Sequence, residues 1–142
     1  MANVMDRETA ERELLAIGEI LDAQYDKEDA EKLLPAIQAG RFIADPAKGS
    51  VTYVLLKPIE LMNGGTMDRL TFRSPTVTDI EFINRGFLIT TDGKNNTTMD
   101  MGAIQARANK AVVRLSGLAM PLLERMGRPD MRVLTGLFNF FD

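Results

Sequence analysis

The 142-residue sequence contains no cysteine, no histidine and no tryptophan. Without Cys or His, the chain cannot build a Ser-His-Asp or Cys-His catalytic group, a zinc finger, an iron–sulfur site or a thiol redox centre. No spacing of the Asp and Glu residues supports paired acid–base catalysis or a cation-binding loop. We therefore predict a protein that is not an enzyme, with no catalytic residues, no cofactor and no metal site.

Long apolar runs are also missing. The longest uncharged apolar stretch, Leu115 to Leu123, is about half of a membrane span. The N-terminal residues Met1 to Glu13 are rich in Asp and Glu and lack the apolar core of a signal peptide. These features predict a soluble, intracellular protein that does not bind membranes.

Charge divides the chain into two unlike parts. Residues 1–45 carry 5 basic and 11 acidic side chains, whereas residues 46–142 carry 12 basic and 9 acidic ones. The change falls at a segment from Asp45 to Ser50 that contains Pro and Gly and is typical of a linker. We predict an acidic helical arm over residues 1–45 and a separate body over residues 46–142.

Apolar residues in the arm recur at helical spacing and predict a helix from about Asp6 to Gln24. A second helix is expected from near Asp26 to Gly40, with a bend or interruption at Pro35. The pair either folds back on its own body or docks on a basic surface of another subunit. The first interpretation is favoured, because most amphipathic helices cover their own core.

The start of the body has the pattern of β-structure. Val51 to Leu56 is β-branched and aromatic and is expected to end before Lys57-Pro58. Segments on either side of Asn63-Gly64 then predict a hairpin, because this pair supports a tight turn. The body is thus expected to open with a β-hairpin or a three-stranded meander.

Helices follow in the rest of the body. Ser74-Pro75 is a helix-start signal, and Asp79 and Glu81 are expected on the solvated face of that helix. A polar loop over Thr90 to Thr98 precedes a helix over about Met99 to Ser116. Two further helices are expected to begin at the following prolines, Pro121 and Pro129. The predicted fold class is α+β, with a short antiparallel hairpin or meander packed against C-terminal helices and preceded by the helical arm.

The C-terminal segment, from Asp130 to Asp142, is apolar over most of a helical circumference. It is either a buried anchoring helix or a contact surface for another chain, and neighbouring Met residues suit varied apolar partners. The residues predicted to contact a partner are Met126, Met131, Val133, Leu134, Leu137, Phe138, Phe140 and Phe141.

Several short motifs carry a family resemblance. They are Leu55-Leu56-Lys57-Pro58-Ile59-Glu60, Leu70-Thr71-Phe72-Arg73-Ser74-Pro75-Thr76 with Asp79-Ile80, Val113-Arg114-Leu115-Ser116-Gly117-Leu118 and Phe140-Phe141. Together they cover roughly residues 51–142, and their order resembles the small tail assembly chaperone family of contractile-tailed, Mu-like phages. The acidic arm and the polar loop depart from that family's pattern.

This resemblance implies a non-catalytic assembly factor in the host cytoplasm that is absent from the mature virion. The implied partners are the tape-measure protein, the tail-tube protein and a longer, frameshifted form of the chain itself, with self-association into a homo-oligomer. A permanent tail or baseplate component is one alternative. A nucleic-acid-binding regulator that uses Arg107, Lys110 and Arg114 is another, although the small net charge argues against nucleic acid.

Overall fold

The computed structural model describes residues 5–85, 89–91, 97–99 and 101–138. Over these ranges the chain has an α+β fold, in which helices cover one face of a three-stranded antiparallel sheet of order β1-β2-β3. The helices are α1 (Arg7–Leu21), α2 (Lys27–Gln38), α3 (Val77–Asn84), α4 (Met101–Ser116), α5 (Met120–Leu123) and α6 (Arg128–Leu137). The strands are β1 (Phe42–Asp45), β2 (Ser50–Glu60), β3 (Thr66–Arg73), β4 (Ile89–Thr91) and β5 (Thr97–Met99). The predicted fold class is confirmed.

The arm folds back on the body. Asp6 and Asp26 cap α1 and α2 by accepting hydrogen bonds from backbone N–H groups, so both predicted helices form. Helix α1 packs on β1 and β2, and α2 packs on α1 and α6. One hydrophobic core therefore joins the acidic arm to the body, as the favoured interpretation expected.

The segment predicted to be a linker is the turn of a β-hairpin. Residues 42–45, assigned to the end of the arm from the sequence, form β1 and pair with the start of β2, from Phe42 opposite Tyr53 to Asp45 opposite Ser50. Gly49 adopts a left-handed φ of 61° in the connection. Pro and Gly have a turn function here, so the change in charge does not coincide with a break in the structure.

The central strand is longer than predicted. Strand β2 continues through Lys57-Pro58 and pairs with β3 again at Ile59, opposite Met67. Between Val54 and Ile59 the register shifts, and residues 55–58 of β2 lie opposite the single residue Asp68. Pro58 has no N–H to donate, and this interruption of the ladder is the kind of place in a central strand that accepts it.

After the sheet, the predicted helices agree with the structure more closely than the predicted polar loop does. The helix predicted over Met99 to Ser116 is α4, and Gly117 ends it with a φ of 75°. Helices α5 and α6 each carry proline in the first turn, as predicted. The segment predicted as a polar loop includes β4 and β5, which pair with each other, while residues 92–96 lie outside the described ranges.

Asp79 is not on a solvated face. Helix α3 begins after Thr76, two residues later than the predicted Ser74 cap, and Asp79 closes a capping box with Thr76. The Asp79 side chain is only 2% exposed and accepts hydrogen bonds from Arg73 and from Arg114 Nε, the latter at 2.8 Å. These bonds, chiefly those from Arg73, hold the pKa of Asp79 far below its usual range, although burial opposes the shift. Glu81, as predicted, is exposed.

Replacing Asp79 by Asn should lower the free energy of unfolding by about 2–3 kcal/mol at neutral pH, because the charged hydrogen bonds to Arg73 and Arg114 are lost. Since the folded-state pKa is depressed, this stabilisation is complete above the unfolded pKa of about 3.9 and is lost as the pH falls below it. Urea unfolding should therefore show a gap between wild type and variant that narrows in acid. Glu81→Gln, on the same helix, is the control and should leave stability unchanged; an Asp79→Asn gap that is constant with pH would contradict the prediction.

Candidate partner-binding site

The residues that were predicted to contact a partner differ in how far they are buried. Leu134, Leu137 and Phe138 are fully buried, and the Phe138 ring lies 5.1 Å from that of Phe72 in an edge-on arrangement. Met126, Met131 and Val133 are partly buried against the same core. Phe140 and Phe141 lie outside the described residues.

Helix α6 is buried because α2, α4 and β2 all pack against it. Helix α2 belongs to the folded-back arm, so the arm supplies part of this cover. For Leu134, Leu137 and Phe138 the anchoring interpretation therefore replaces the contact interpretation. A partner could reach these three side chains only if α6 left the core.

Asp130 holds α6 on the sheet and was not identified from the sequence. Its carboxylate is fully buried and accepts hydrogen bonds from Tyr53 Oη at 2.7 Å and Arg41 Nη2 at 2.9 Å. Burial, and then the bond to Asp130, raise the pKa of the Tyr53 phenol, so this hydroxyl stays a donor. Backbone N–H groups of Leu56 and Lys57, in the interrupted part of β2, donate to the same carboxylate at 2.8 and 3.1 Å. An acid in a first helical turn is an ordinary sequence feature, so the pattern could not reveal this role.

The other end of α6 adjoins an open groove beside α1. The Tyr25 hydroxyl donates a 3.0 Å hydrogen bond to the carbonyl of Leu137, and Tyr25 also lines the groove. We call this concavity, which has a volume of about 1120 Å³, the α1 groove. It is lined by Glu11, Leu14, Leu15, Gly18, Glu19, Asp22, Ala23, Gln24 and Tyr25.

The α1 groove is lined by both apolar and acidic side chains. Leu15 is 70% exposed, which makes it one of the most exposed large apolar side chains of the described chain. Glu11, Glu19 and Asp22 are exposed and lie on the same stripe of α1 as Leu15, at helical spacing. The groove thus combines an apolar centre with an acidic rim.

A close backbone turn lines the groove at the C-terminal end of α1. Asp22 adopts a left-handed conformation with a φ of 55°, and Ala23 N–H donates to the carbonyl of Gly18 at 2.7 Å. A Cβ atom at position 18 would lie only 2.8 Å from the Ala23 carbonyl oxygen. Glycine is therefore required here for the close approach of the turn, a reason that helical periodicity does not show.

Gly18→Ala should lower the free energy of unfolding by about 1–2 kcal/mol, because the strain of displacing the Ala23 backbone outweighs the helix propensity of alanine. Gly136→Ala in α6 is the matched control, since a Cβ there would meet its nearest side-chain atom at an ordinary 3.9 Å. That variant should be neutral or stabilised by up to about 1 kcal/mol. Thermal unfolding of both proteins tests the pair, and equal stabilisation of both would contradict the proposed fit.

The acidic rim lies where negative charge is unfavourable for the helix itself. Glu19 is in the last turn of α1, Asp22 is its C-cap, and the last turn has no basic residue. Negative charges at a helix C-terminus face the negative end of the helix dipole and cost about 0.3–1 kcal/mol each. The arrangement therefore does not serve the stability of α1.

The basic side chains that suggested nucleic-acid binding are buried or make contacts with other residues of the protein. Arg107 is only 3% exposed. Arg114 binds Asp79, and its guanidinium lies 4.7 Å from the centre of the Phe82 ring. Lys110 donates a 2.7 Å hydrogen bond to the Arg85 carbonyl. These contacts leave little of the predicted basic surface available to phosphates.

The sequence matches no protein-family model, and no curated protein or solved structure is significantly similar to it. The resemblance to phage tail assembly chaperones therefore stays a prediction. Within the described ranges, no helix combines the length and apolar content that crossing a lipid bilayer would require. Those ranges also contain no cluster of three or more acidic side chains placed to hold a metal ion.

Proposed function

We propose that the protein is a non-catalytic assembly chaperone that holds an amphipathic helix of a partner chain in the α1 groove. The observation that carries the proposal is the apolar centre of this groove, where Leu15 is 70% exposed. In line with the family resemblance, the proposed partner is the tape-measure protein of a contractile-tailed phage. The protein then acts in the host cytoplasm, promotes tail-tube assembly and is absent from the mature virion.

The length of the groove suits a helix. Glu11 and Asp22 are eleven residues apart, which corresponds to about 17 Å along α1, or three turns of a helix lying beside it. A groove of this length presents one exposed aliphatic anchor and supports only modest affinity at each site. Many copies bound along one long partner would gain strength through avidity and still be removable.

The residues near the C-terminus that were predicted to contact a partner stay part of the proposal. Phe140 and Phe141 follow Leu137 by three and four residues, and Leu137 is tied to the groove by Tyr25. Both Phe residues were predicted from the sequence to contact a partner. We include them in the proposed contact, with the partly buried Met126, Met131 and Val133 as a second, weaker surface.

The motifs that carry the resemblance have structural roles in this chain. Lys57 and Pro58 lie in the interrupted part of β2 that contacts Asp130. Phe72 is a core residue, and Arg73 binds Asp79. A likeness in such positions supports a similar fold of the body more directly than it supports a particular partner.

Co-expression with the tape-measure protein of the same phage tests the proposal. The wild-type chain should co-purify with it, and Leu15→Ser should weaken the complex roughly tenfold or more, because the burial of one large aliphatic side chain is lost. Val77→Ser is the matched control, since Val77 is similarly exposed, at 74%, but lies on α3. The proposal would be refuted if the wild-type chain did not co-purify with the tape-measure protein, or if the Leu15→Ser and Val77→Ser variants retained that protein equally.

Mass spectrometry of purified phage particles separates the chaperone from a permanent tail component. A chaperone that leaves the assembled tail should be missing from the particles while it is present in the infected cell. Stoichiometric amounts in the particle would instead favour the permanent component.

A further inference from the structure

We infer that the segment held in the α1 groove is a cationic amphipathic helix, whose Lys or Arg side chains flank its apolar stripe and pair with Glu19 and Asp22. This inference rests on the proposed function and specifies the chemistry of the partner. It is carried by the charge of the groove rim together with the exposed Leu15 in the same groove.

The carboxylates of the rim differ in whether a basic side chain of the protein forms an ion pair with them. Glu11 pairs with Arg7 Nε at 3.1 Å, one turn away on α1. Among the described residues, no ion pair involves Glu19 or Asp22. These two exposed carboxylates lie at the C-terminal end of α1, where the helix dipole is also negative. A cation placed there is attracted by both charges and by the dipole.

The spacing of the rim sets the spacing of the partner's charges. Glu19 and Asp22 are three residues apart, about 4.5 Å along α1, and Leu15 lies about one turn before Glu19. A helix beside α1 would meet these two carboxylates with basic residues about three or four positions apart, and would meet Leu15 with an apolar residue about one turn away. A neutral or acidic helix with the same apolar stripe would leave the carboxylates without a partner and bring like charges together.

Synthetic helices test the charge requirement with the full chain. The first probe is a three-turn amphipathic peptide with a Leu stripe flanked by Lys, the second carries Glu in place of Lys, and the third has the composition of the first in scrambled order. Titration calorimetry should show binding of the first peptide at least roughly tenfold tighter than of the other two. Added salt should weaken that binding, because the rim is exposed to solvent.

Charge variants connect the peptide result to the rim. Glu19→Gln combined with Asp22→Asn should weaken the Lys peptide roughly three- to tenfold, as expected for the loss of two exposed ion pairs. Glu81→Gln combined with Glu124→Gln removes the same charge from exposed positions elsewhere and should have no effect. Glu19→Lys should weaken binding further and yet raise the melting temperature, since it places a basic residue in the last turn of α1. That opposite sign excludes unfolding as the cause.

The outcomes distinguish this inference from the proposed function. If Leu15→Ser releases the tape-measure protein while the neutral double variant and added salt do not, the cationic partner is overturned and the chaperone proposal stands. If the tape-measure protein never binds but the Lys peptide does, the chaperone proposal fails. The inference that the groove binds a cationic amphipathic helix then stands. If the double variant instead dissociates an oligomer of the chain alone in sedimentation experiments, the rim binds a second copy and the inference is overturned.

Discussion

Asp130→Asn is expected to lower the free energy of unfolding by about 3–5 kcal/mol, because it leaves a buried site built around a carboxylate without its charge. The Asp130 carboxylate is fully buried and accepts from four donors, including the Arg41 guanidinium, whose side chain is only 15% exposed. An Asn side chain in this position would turn its NH₂ group towards groups that also donate hydrogen bonds. In urea unfolding the midpoint should fall while the slope stays unchanged, as for a loss of stability alone.

The matched control is Asp68→Asn, because Asp68 also pairs with an arginine but is 62% exposed. Exposed pairs contribute about 0–1 kcal/mol, so this variant should be close to wild type. Similar losses for both variants would mean that burial of the Asp130 site is not what makes it important.

Phe138→Ala is expected to lower the free energy of unfolding by about 3–5 kcal/mol, as is typical of a large aromatic side chain removed from a core. Phe138 is fully buried and packs edge-on against Phe72. The prediction separates the two interpretations of the C-terminal stripe, because an exposed contact residue could be removed with little effect on folding. Thermal and urea unfolding of the isolated protein measure the effect without any partner.

Val133→Ala, on the same helix but only partly buried, is the control and should cost about 1 kcal/mol or less. A double-mutant cycle with Phe72→Leu should give a coupling of about 0.5–1.5 kcal/mol for the ring pair. A Phe138→Ala protein that keeps its stability but loses the tape-measure protein would restore the contact interpretation.

Periodicity and turn chemistry were sufficient to predict much of the fold. The apolar spacing in α1 and α4, the hairpin around Asn63-Gly64 and the prolines at the starts of α5 and α6 are local signals, and the structure agrees with them. Strand β1 is too short to show a pattern of its own and was missed. Its formation depends on pairing with β2, which a local pattern does not contain.

The roles of the polar residues were the least predictable part. Asp79 and Asp130 each occupy the first turn of a helix, a position where acids are common whether exposed or buried. Their partners lie elsewhere in the chain: Asp79 binds Arg114, and Asp130 binds Arg41. The α1 groove was also missed, because it depends on the turn that Gly18 permits. The apolar stripe of α1 predicted only which face of the helix packs on the core.

The contact between Asp130 and the interrupted part of β2 makes strand alignment depend on a distant helix. The Leu56 and Lys57 N–H groups that do not complete the ladder with β3 are satisfied by a residue more than seventy positions later. A hairpin paired one residue out of step would present different N–H groups and could not receive α6. Docking of α6 therefore stabilises the observed alignment of β2 and β3 over an alignment that is shifted by one residue.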